Sequence, residues 1–411
     1  MTYQLFIEWC SKTCTCEAGQ NTDVAQKTMS AEALSSKFLR YIHPGLEIPP
    51  ALQKVLLPNP ALSVTQFLQF PFPIISSTVH LPSEFFSRHA PTTDDVSLIS
   101  KIPVPSGVTV KELQQACKSA ASSGNTSVVC PHAPLASGKR VPLWIITYWT
   151  EIINLREIRE PWVRAEAALR KRKKGSKHSS SLIDETYTAL SILQWSGNIH
   201  GFDNEEPINH LAKYATHQWL TDIHENQMLD ILRRELLLDQ SILGIEVESL
   251  KFISYIESAY QQRHLEQYGE SRYYAHARRL GEELSSGARE SVLLLKNLKN
   301  EHWVALDVNF KERCIRYGDS FGEGAPPALM CAVEWWTYHH TGQEFAHGKL
   351  AIASQEDGFS CCLLAYNALA HRANPKKYPL IQAAKVDDAR LEILLAVITW
   401  HADNVMSSLL L

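Results

Sequence analysis

The chain has 411 residues, of which 45% are apolar, so it is long enough for two or three domains with sizeable cores. Its 40 basic and 44 acidic residues give a formal net charge of -4, so the overall charge provides no reason to expect a nucleic acid or an anionic membrane as partner. Nine cysteines without regular spacing argue against a secreted disulfide scaffold and for a reducing compartment.

The N-terminal sequence has neither a basic leader nor an apolar segment of the signal-peptide type. The longest apolar stretch, LEILLAVITW, is too short for a bilayer, which requires about 20 residues. We therefore expect an intracellular protein, in the nucleus or the cytoplasm, without a membrane partner.

Residues 1–130 predict an N-terminal region of unknown fold, in which short helices such as residues 31–42 alternate with Pro- and Ser-rich loops. Cys10, Cys14 and Cys16 lie in this region. Because no second ligand group follows at zinc spacing, we interpret them as free thiols and expect no metal site.

Residues 131–204 predict a long amphipathic helix with a basic end and a flexible linker, and Pro161 can kink or restart the helix. Its apolar positions recur at steps of three and four residues, as in Ile145, Trp149, Ile152, Leu155 and Ile158. The tryptophans of this segment, Trp144, Trp149 and Trp162, are more typical of a packing stripe than of a base-stacking platform.

Five basic residues end this helix: Arg170, Lys171, Arg172, Lys173 and Lys174. One interpretation is a nuclear localisation signal or a phosphate-binding patch for nucleic acid. The other is a solvated helix end, where cations are favoured by the helix dipole. We prefer the second interpretation and keep nucleic acid as the less favoured partner.

The pattern of predicted elements changes in residues 205–411. A helical pattern begins after Trp219-Leu220, three short strands follow in SVLLLKNLKNEHWVALDVNFKERCIRYGDS, and PALMCAVEWWTYHHTG is helical again. A loop then leads into a helix near Cys361, and a terminal helix follows. This order of elements predicts an α+β fold.

Three separated residues suggest nucleophilic catalysis. Cys361 stands at the predicted start of an apolar helix, whose N–H groups and dipole can lower a thiol pKa and hold an oxyanion. His302 begins one predicted strand and Asp319 closes the next, so an imidazole base and a carboxylate that orients it can meet near the thiol. Taken singly, each of these residues has an ordinary structural explanation.

Gln355 precedes Cys361 by six residues, and its amide N–H could join the Cys361 N–H in stabilising a tetrahedral oxyanion. Gly358 would let the loop turn between them.

Together these residues resemble the ubiquitin-like protease family, the SUMO- and NEDD8-deconjugating cysteine proteases related to the adenoviral protease. The similarity lies in His302-Trp303, Asp319-Ser320, the segment from Gln355 to Cys361-Cys362, and Trp219-Leu220-Thr221-Asp222. It covers residues 205–411.

The resemblance implies a papain-like or adenain-like domain with a small central mixed sheet flanked by helices. It implies a Cys361-His302-Asp319 triad, Gln355 in the oxyanion hole, and no cofactor. Trp219, Trp303 and Gly358 would bind the substrate. The substrate would be a ubiquitin-like modifier, SUMO first among the candidates, cleaved after its C-terminal diglycine.

Two residues depart from the family pattern: Ser360 stands where Asp or Asn is usual, and Cys362 where Gly is usual. One alternative is therefore a catalytically weak module that binds a ubiquitin-like modifier without cutting it. Another is a transposon-associated nucleic-acid-binding protein, suggested by the basic run and the tryptophans.

Overall fold

The computed structural model describes residues 44–76, 85–129, 139–175, 180–239, 244–265 and 267–409. Cys10, Cys14, Cys16 and the helix expected within residues 31–42 lie outside the described residues. The division of the chain at 130 and 204 stays a prediction.

Short elements surround a small apolar core in the N-terminal region. The helices are α1 (Pro50–Leu56), α2 (Val64–Gln69), α3 (Val96–Ile99) and α4 (Gly107–Ser122), with a 3-10 turn at Pro44–Leu46. The strands are β1 (Ile75–Ser76), β2 (Phe86–Ser87), β3 (Val104–Pro105), β4 (Ser127–Val129) and β5 (Arg140–Pro142). β1 and β3 form a parallel pair, and β4 lies between β2 and β5 in an antiparallel sheet.

The predicted long helix is α5 (Ile145–Gly175), which continues through Pro161. Its first half packs in the N-terminal core, where Trp149 is buried. Its second half, including the fully buried Trp162, packs in a second core together with residues of the C-terminal half of the chain. The tryptophans of this helix are therefore packing residues, as the spacing predicts.

Residues 180–192, within the segment 131–204 that was expected to hold a long helix and a linker, form helix α6 (Ser180–Ile192). Ile183 and Leu190 on this helix join the same core as Trp162, which explains why the Ser-rich start of the segment does not leave it extended. The pair β6 (Asn198–Ile199) and β7 (Glu206–Pro207) and a 3-10 helix at Ile208–Ala215 follow.

A five-stranded mixed sheet organises the C-terminal half. Its strands are β8 (Ile245–Val247), β9 (Ser291–Leu298), β10 (His302–Asn309), β11 (Cys314–Gly318) and β12 (Ala346–Lys349), in the order β12-β11-β10-β9-β8. The three central strands are antiparallel, and both edge strands pair in parallel with their neighbours.

Helices cover both faces of this sheet. One face packs on α7 (Asp222–Leu238), α12 (Cys361–Ala373) and α13 (Val386–Leu409), and the other on α8 (Leu250–Gln261), α10 (Ala275–Ser285) and α11 (Pro327–Thr341). The short α9 (Gln267–Glu270) and 3-10 turns at Arg263–Leu265, Arg272–Tyr274 and Ala383–Lys385 complete the fold.

Alternate residues of the central strands enter opposite cores: Leu293 and Ala305 face one layer of helices, whereas Leu294 and Leu306 face the other. Burial on both faces is the reason why β9 reads as an almost unbroken apolar run. The α+β prediction is confirmed. Within the described ranges, no helix has the length and hydropathy that a membrane span requires.

A buried carboxylate ties three of these elements together. Asp307 of β10 is fully buried, and its Oδ2 accepts from Arg316 of β11 at 2.9 Å and from Arg372 of α12 at 2.6 Å. The strand that begins with His302 and the helix that begins with Cys361 are thus joined by ion pairs at their other ends.

Candidate active site

Cys361 is the first residue of α12, and its side chain is 6% exposed. The hydroxyl of Ser360 does not cap the helix, because it donates to the carboxylate of Asp357 at 2.5 Å. The N–H groups of the first turn are consequently left for other acceptors, and the backbone N–H groups of Cys361, Cys362 and Trp303 act to lower the pKa of the Cys361 thiol.

Burial nevertheless raises the pKa of the Cys361 thiol above its usual 9.0, and the three N–H groups only oppose this effect. The helix N-terminus does lower this pKa, as expected, but desolvation is the larger influence and the net change is upward. Cys361 is a thiol at neutral pH in this state.

His302 and Asp319 are in contact, as their strand positions predict. The Nε2 of His302 lies 3.0 Å from Oδ1 of Asp319, which is 7% exposed. The same oxygen accepts the N–H of Phe321 at 2.7 Å, and Oδ2 accepts the hydroxyl of Tyr317 at 3.3 Å. These bonds fix the carboxylate at the end of β11.

The other ring nitrogen of His302, Nδ1, is buried and has no hydrogen-bond partner. His302 directly precedes Trp303, which lines the same cavity as Cys361, so the imidazole and the thiol belong to neighbouring parts of the site. With Nε2 engaged by Asp319, Nδ1 is the nitrogen left to exchange a proton with the thiol.

Gln355 is held in the loop between β12 and α12. Its Oε1 accepts the hydroxyl of Ser320 at 2.8 Å, and its Nε2 donates to the carbonyl of Asp357 at 2.8 Å. The amide is therefore anchored beside the Asp319-Ser320 pair, and its Nε2 also lies 3.5 Å from Oδ1 of Asp357. Gln355 does not line the cavity at Cys361.

Asp357 organises this loop, a residue that the sequence analysis did not select. Its Oδ1 accepts the N–H groups of Phe359 and Ser360, each at 2.8 Å. Asp357 thereby supplies a carboxylate three positions before Ser360, which itself has none. The signal in the sequence was Asp-Gly, a pair typical of turns closed by an aspartate side chain.

Gly358 contributes its carbonyl oxygen, which accepts the indole N–H of Trp219. Its φ is not positive, and a Cβ there would meet no atom within 4 Å. The expected need for glycine in the turn is therefore wrong, because Asp357 closes the turn in a conformation open to other residues.

A cavity of about 230 Å³ opens on the thiol. Trp219, which is 51% exposed, and Trp303, which is 5% exposed, both line it. The lining comprises Trp219, Leu220, Thr221, Asp222, Asn297, Asn300, Glu301, Trp303, Phe359, Cys361 and Cys362. Both tryptophans predicted to bind substrate thus lie beside Cys361.

Cys362 faces the interior. It is 1% exposed, and burial raises the pKa of its thiol well above the usual value. Its neighbour is the fully buried Glu225, whose carboxyl pKa burial also raises well above the usual value. A neutral acid next to a neutral thiol explains how α7 and α12 pack here without a counter-ion.

The basic run is partly neutralised within the protein. Arg170 pairs with Glu166, Arg172 with Asp388 and Lys173 with Asp184. Cations committed to carboxylates of the same chain are less available to phosphates, although the nucleic-acid alternative remains untested.

No protein-family model and no curated protein sequence matches the chain. Several solved structures are similar to part of it. The C-terminal protease domain of Ulp1, in complex with Smt3, the yeast orthologue of SUMO, is 17% identical, with 53% of this chain and 93% of that chain covered and a TM-score of 0.38.

The catalytic domain of a Ulp1-like SUMO protease from Chaetomium thermophilum is 13% identical, covering 55% of this chain and 89% of that chain, with a TM-score of 0.37. XopD from Xanthomonas is 18% identical, covering 44% and 98%, with a TM-score of 0.31. At these identities the similarities concern the fold alone and assign no activity to this chain.

Proposed function

We propose that this protein is a cysteine isopeptidase that cleaves after the C-terminal diglycine of a ubiquitin-like modifier. The observation that carries the proposal is the arrangement of His302: Asp319 holds Nε2, while Nδ1 is buried without a partner, and the next residue, Trp303, lines the same cavity as Cys361. An intracellular location, in the nucleus or the cytoplasm, belongs to the same proposal.

In the proposed first step the Cys361 thiol gives its proton to His302 Nδ1 and the sulfur attacks the carbonyl carbon of the last glycine. Because the resting thiol is neutral, transfer and attack are coupled, with His302 as general base. Asp319 stabilises the imidazolium through Nε2. The oxyanion accepts from the Cys361 N–H and, after a shift of the loop, from the second N–H of Gln355.

In the second step the C–N bond breaks and the leaving amine takes the proton from His302 Nδ1. Water then attacks the thioester, giving its proton to His302, and the modifier leaves with a free carboxylate while Cys361 regains its thiol. The modifier tail would occupy the cavity of about 230 Å³ that Trp219 and Trp303 line together with Cys361.

Two observations favour a second candidate, a module that binds the modifier tail without cutting it. The pKa of Cys361 is raised, and one donor of Gln355 is committed to Asp357. Such a module would use the same cavity for binding alone.

The test is intact mass measurement after incubation with SUMO, NEDD8 and ubiquitin probes that carry C-terminal electrophiles. We expect one adduct, absent in Cys361→Ala and present in Cys362→Ala. Cys331, an exposed free thiol, is the control for non-specific labelling, so Cys331→Ala should keep the adduct. A folded protein that binds a probe without forming an adduct would support the binding module instead.

A further inference from the structure

The ring of Phe321 lies against the imidazole of His302. The ring centroids are 4.8 Å apart and the planes are inclined by 24°, so the rings are stacked. Phe321 is nevertheless 56% exposed, and the His302 side chain beneath it only 15%. An aromatic ring thus covers one face of the imidazole at the protein surface.

The main chain of Phe321 contacts the partner of His302. Its N–H donates to Asp319 Oδ1 at 2.7 Å, and this is the oxygen that contacts His302 Nε2. The next residue, Gly322, has a φ of 78° and donates its N–H to the Asp319 carbonyl at 3.0 Å, which closes a tight turn. The turn places the Phe321 ring over the imidazole.

Phe321 is not part of the cavity between the two tryptophans. Its contacts are with the base and its carboxylate and not with the space proposed for the modifier tail. A residue so placed can change the orientation of the imidazole without changing how the tail binds.

We propose that Phe321 is a positioning residue for His302: its N–H fixes the orienting oxygen of Asp319, and its ring fixes the imidazole plane and with it the direction of Nδ1. This inference rests on the proposed function. The ring also keeps water from one face of the imidazole, so that Nδ1 exchanges its proton with the thiol and the leaving amine.

The kinetic test compares Phe321→Ala with Phe321→Tyr on whichever modifier probe the wild-type protein cleaves. Alanine keeps the N–H to Asp319 and removes only the ring, so we expect kcat to fall by about tenfold to a hundredfold with KM unchanged. Tyrosine restores the stack and should restore kcat. Tyr338→Ala, which removes another 56% exposed ring, is the matched control and should change neither constant.

A second readout needs no substrate. Stacking under a phenyl ring shifts the His302 ring protons upfield in the NMR spectrum, and Phe321→Ala should return them downfield, with the signals assigned through His302→Gln. The inference is overturned if these shifts are equal in wild type and Phe321→Ala, if kcat is unchanged, or if only KM rises. A wild-type protein inert towards every probe would overturn the proposed function, and the NMR shifts would still report whether the stack exists.

Discussion

The state of the Cys361 thiol can be measured directly. Because burial raises its pKa above 9.0, the rate of alkylation by iodoacetamide should rise with pH through pH 9 without a plateau near neutrality. Mass spectrometry of the Cys361 peptide against pH gives the profile. A plateau that begins below pH 7 would indicate a thiolate–imidazolium pair and contradict the neutral resting thiol.

The role of Asp319 leads to a second prediction. In Asp319→Asn the side chain can still accept a bond from His302 but no longer stabilises an imidazolium, so kcat should fall by about 10³-fold to 10⁴-fold. Hydrolysis of the preferred modifier probe measures this. Asp403→Asn, on the exposed side of α13, serves as a control and should retain full activity. A loss of less than tenfold would argue against a triad.

The sequence predicted the residues that carry chemistry better than those that support them. His302, Asp319 and Cys361 could be found because each stands at the boundary of an element with a clear pattern. Phe321 could not, because its contacts depend on a loop conformation that no periodicity encodes, and Asp357 left only the local signal of the Asp-Gly pair. The net state of the Cys361 thiol could not be read from the sequence either, since the burial that raises its pKa depends on packing by distant parts of the chain.

The start of α7 depends on a buried histidine. His224 Nδ1 accepts the N–H of Thr221 at 3.1 Å, its Nε2 lies 3.0 Å from the carbonyl of His210, and burial lowers its pKa from 6.5 to about 3. Below pH 6.5 the imidazole of His224 is protonated in the unfolded chain, whereas in the folded protein it stays neutral until the pH approaches 3. Stability should therefore fall as pH decreases from 6.5 towards 3, by about 1.4 kcal/mol per pH unit.

Urea unfolding between pH 4 and 7 checks this dependence. In His224→Gln the acceptor for the helix start is kept and the titration is removed, so the slope between pH 6.5 and 4 should flatten. His264→Gln, an exposed histidine, should leave the slope unchanged. An unchanged slope in His224→Gln would show that other groups cause the acid sensitivity.

Among the helices and strands, the sequence indicated the three central strands, α7, α11, α12 and α13, because each has a strong apolar period or clear turn residues. The sequence analysis did not single out the helix at residues 180–192, and the reason is physical. The segment has modest apolar content, and its helix is stabilised by contacts of Ile183 and Leu190 with a core formed by distant parts of the chain.

The whole molecule is organised around α5, which contributes to two cores. Trp162→Ala should destabilise the second core by about 3–5 kcal/mol, since it removes a large, fully buried side chain. Because that core includes Cys361, the loss of stability should extend to the C-terminal half of the chain. Val163→Ala, at a 42% exposed neighbour, is the matched control and should change stability by less than about 0.5 kcal/mol.

Alkylation during urea unfolding can follow both halves, through Cys117 in the N-terminal core and Cys361 in the other. We expect Cys117 and Cys361 to become reactive at the same urea concentration. Trp162→Ala should lower that concentration for both thiols. If Trp162→Ala leaves the urea midpoint for Cys361 alkylation unchanged, residues 205–411 fold independently of α5. That result would agree with the domain boundary predicted at residue 204.

The ion pairs of Asp307 have a mechanical consequence. From Cys361 to Arg372 along α12 is 11 residues, or about 16 Å, and from His302 to Asp307 along β10 is five residues, or about 17 Å. Helix and strand thus cover nearly equal distances from the carboxylate to Cys361 and to His302. A tilt of α12 by about 3° about its Arg372 end would move the sulfur by nearly 1 Å relative to the imidazole. The ion pairs of Asp307 therefore act on the spacing of nucleophile and base from about 16 Å away, through the length of the helix.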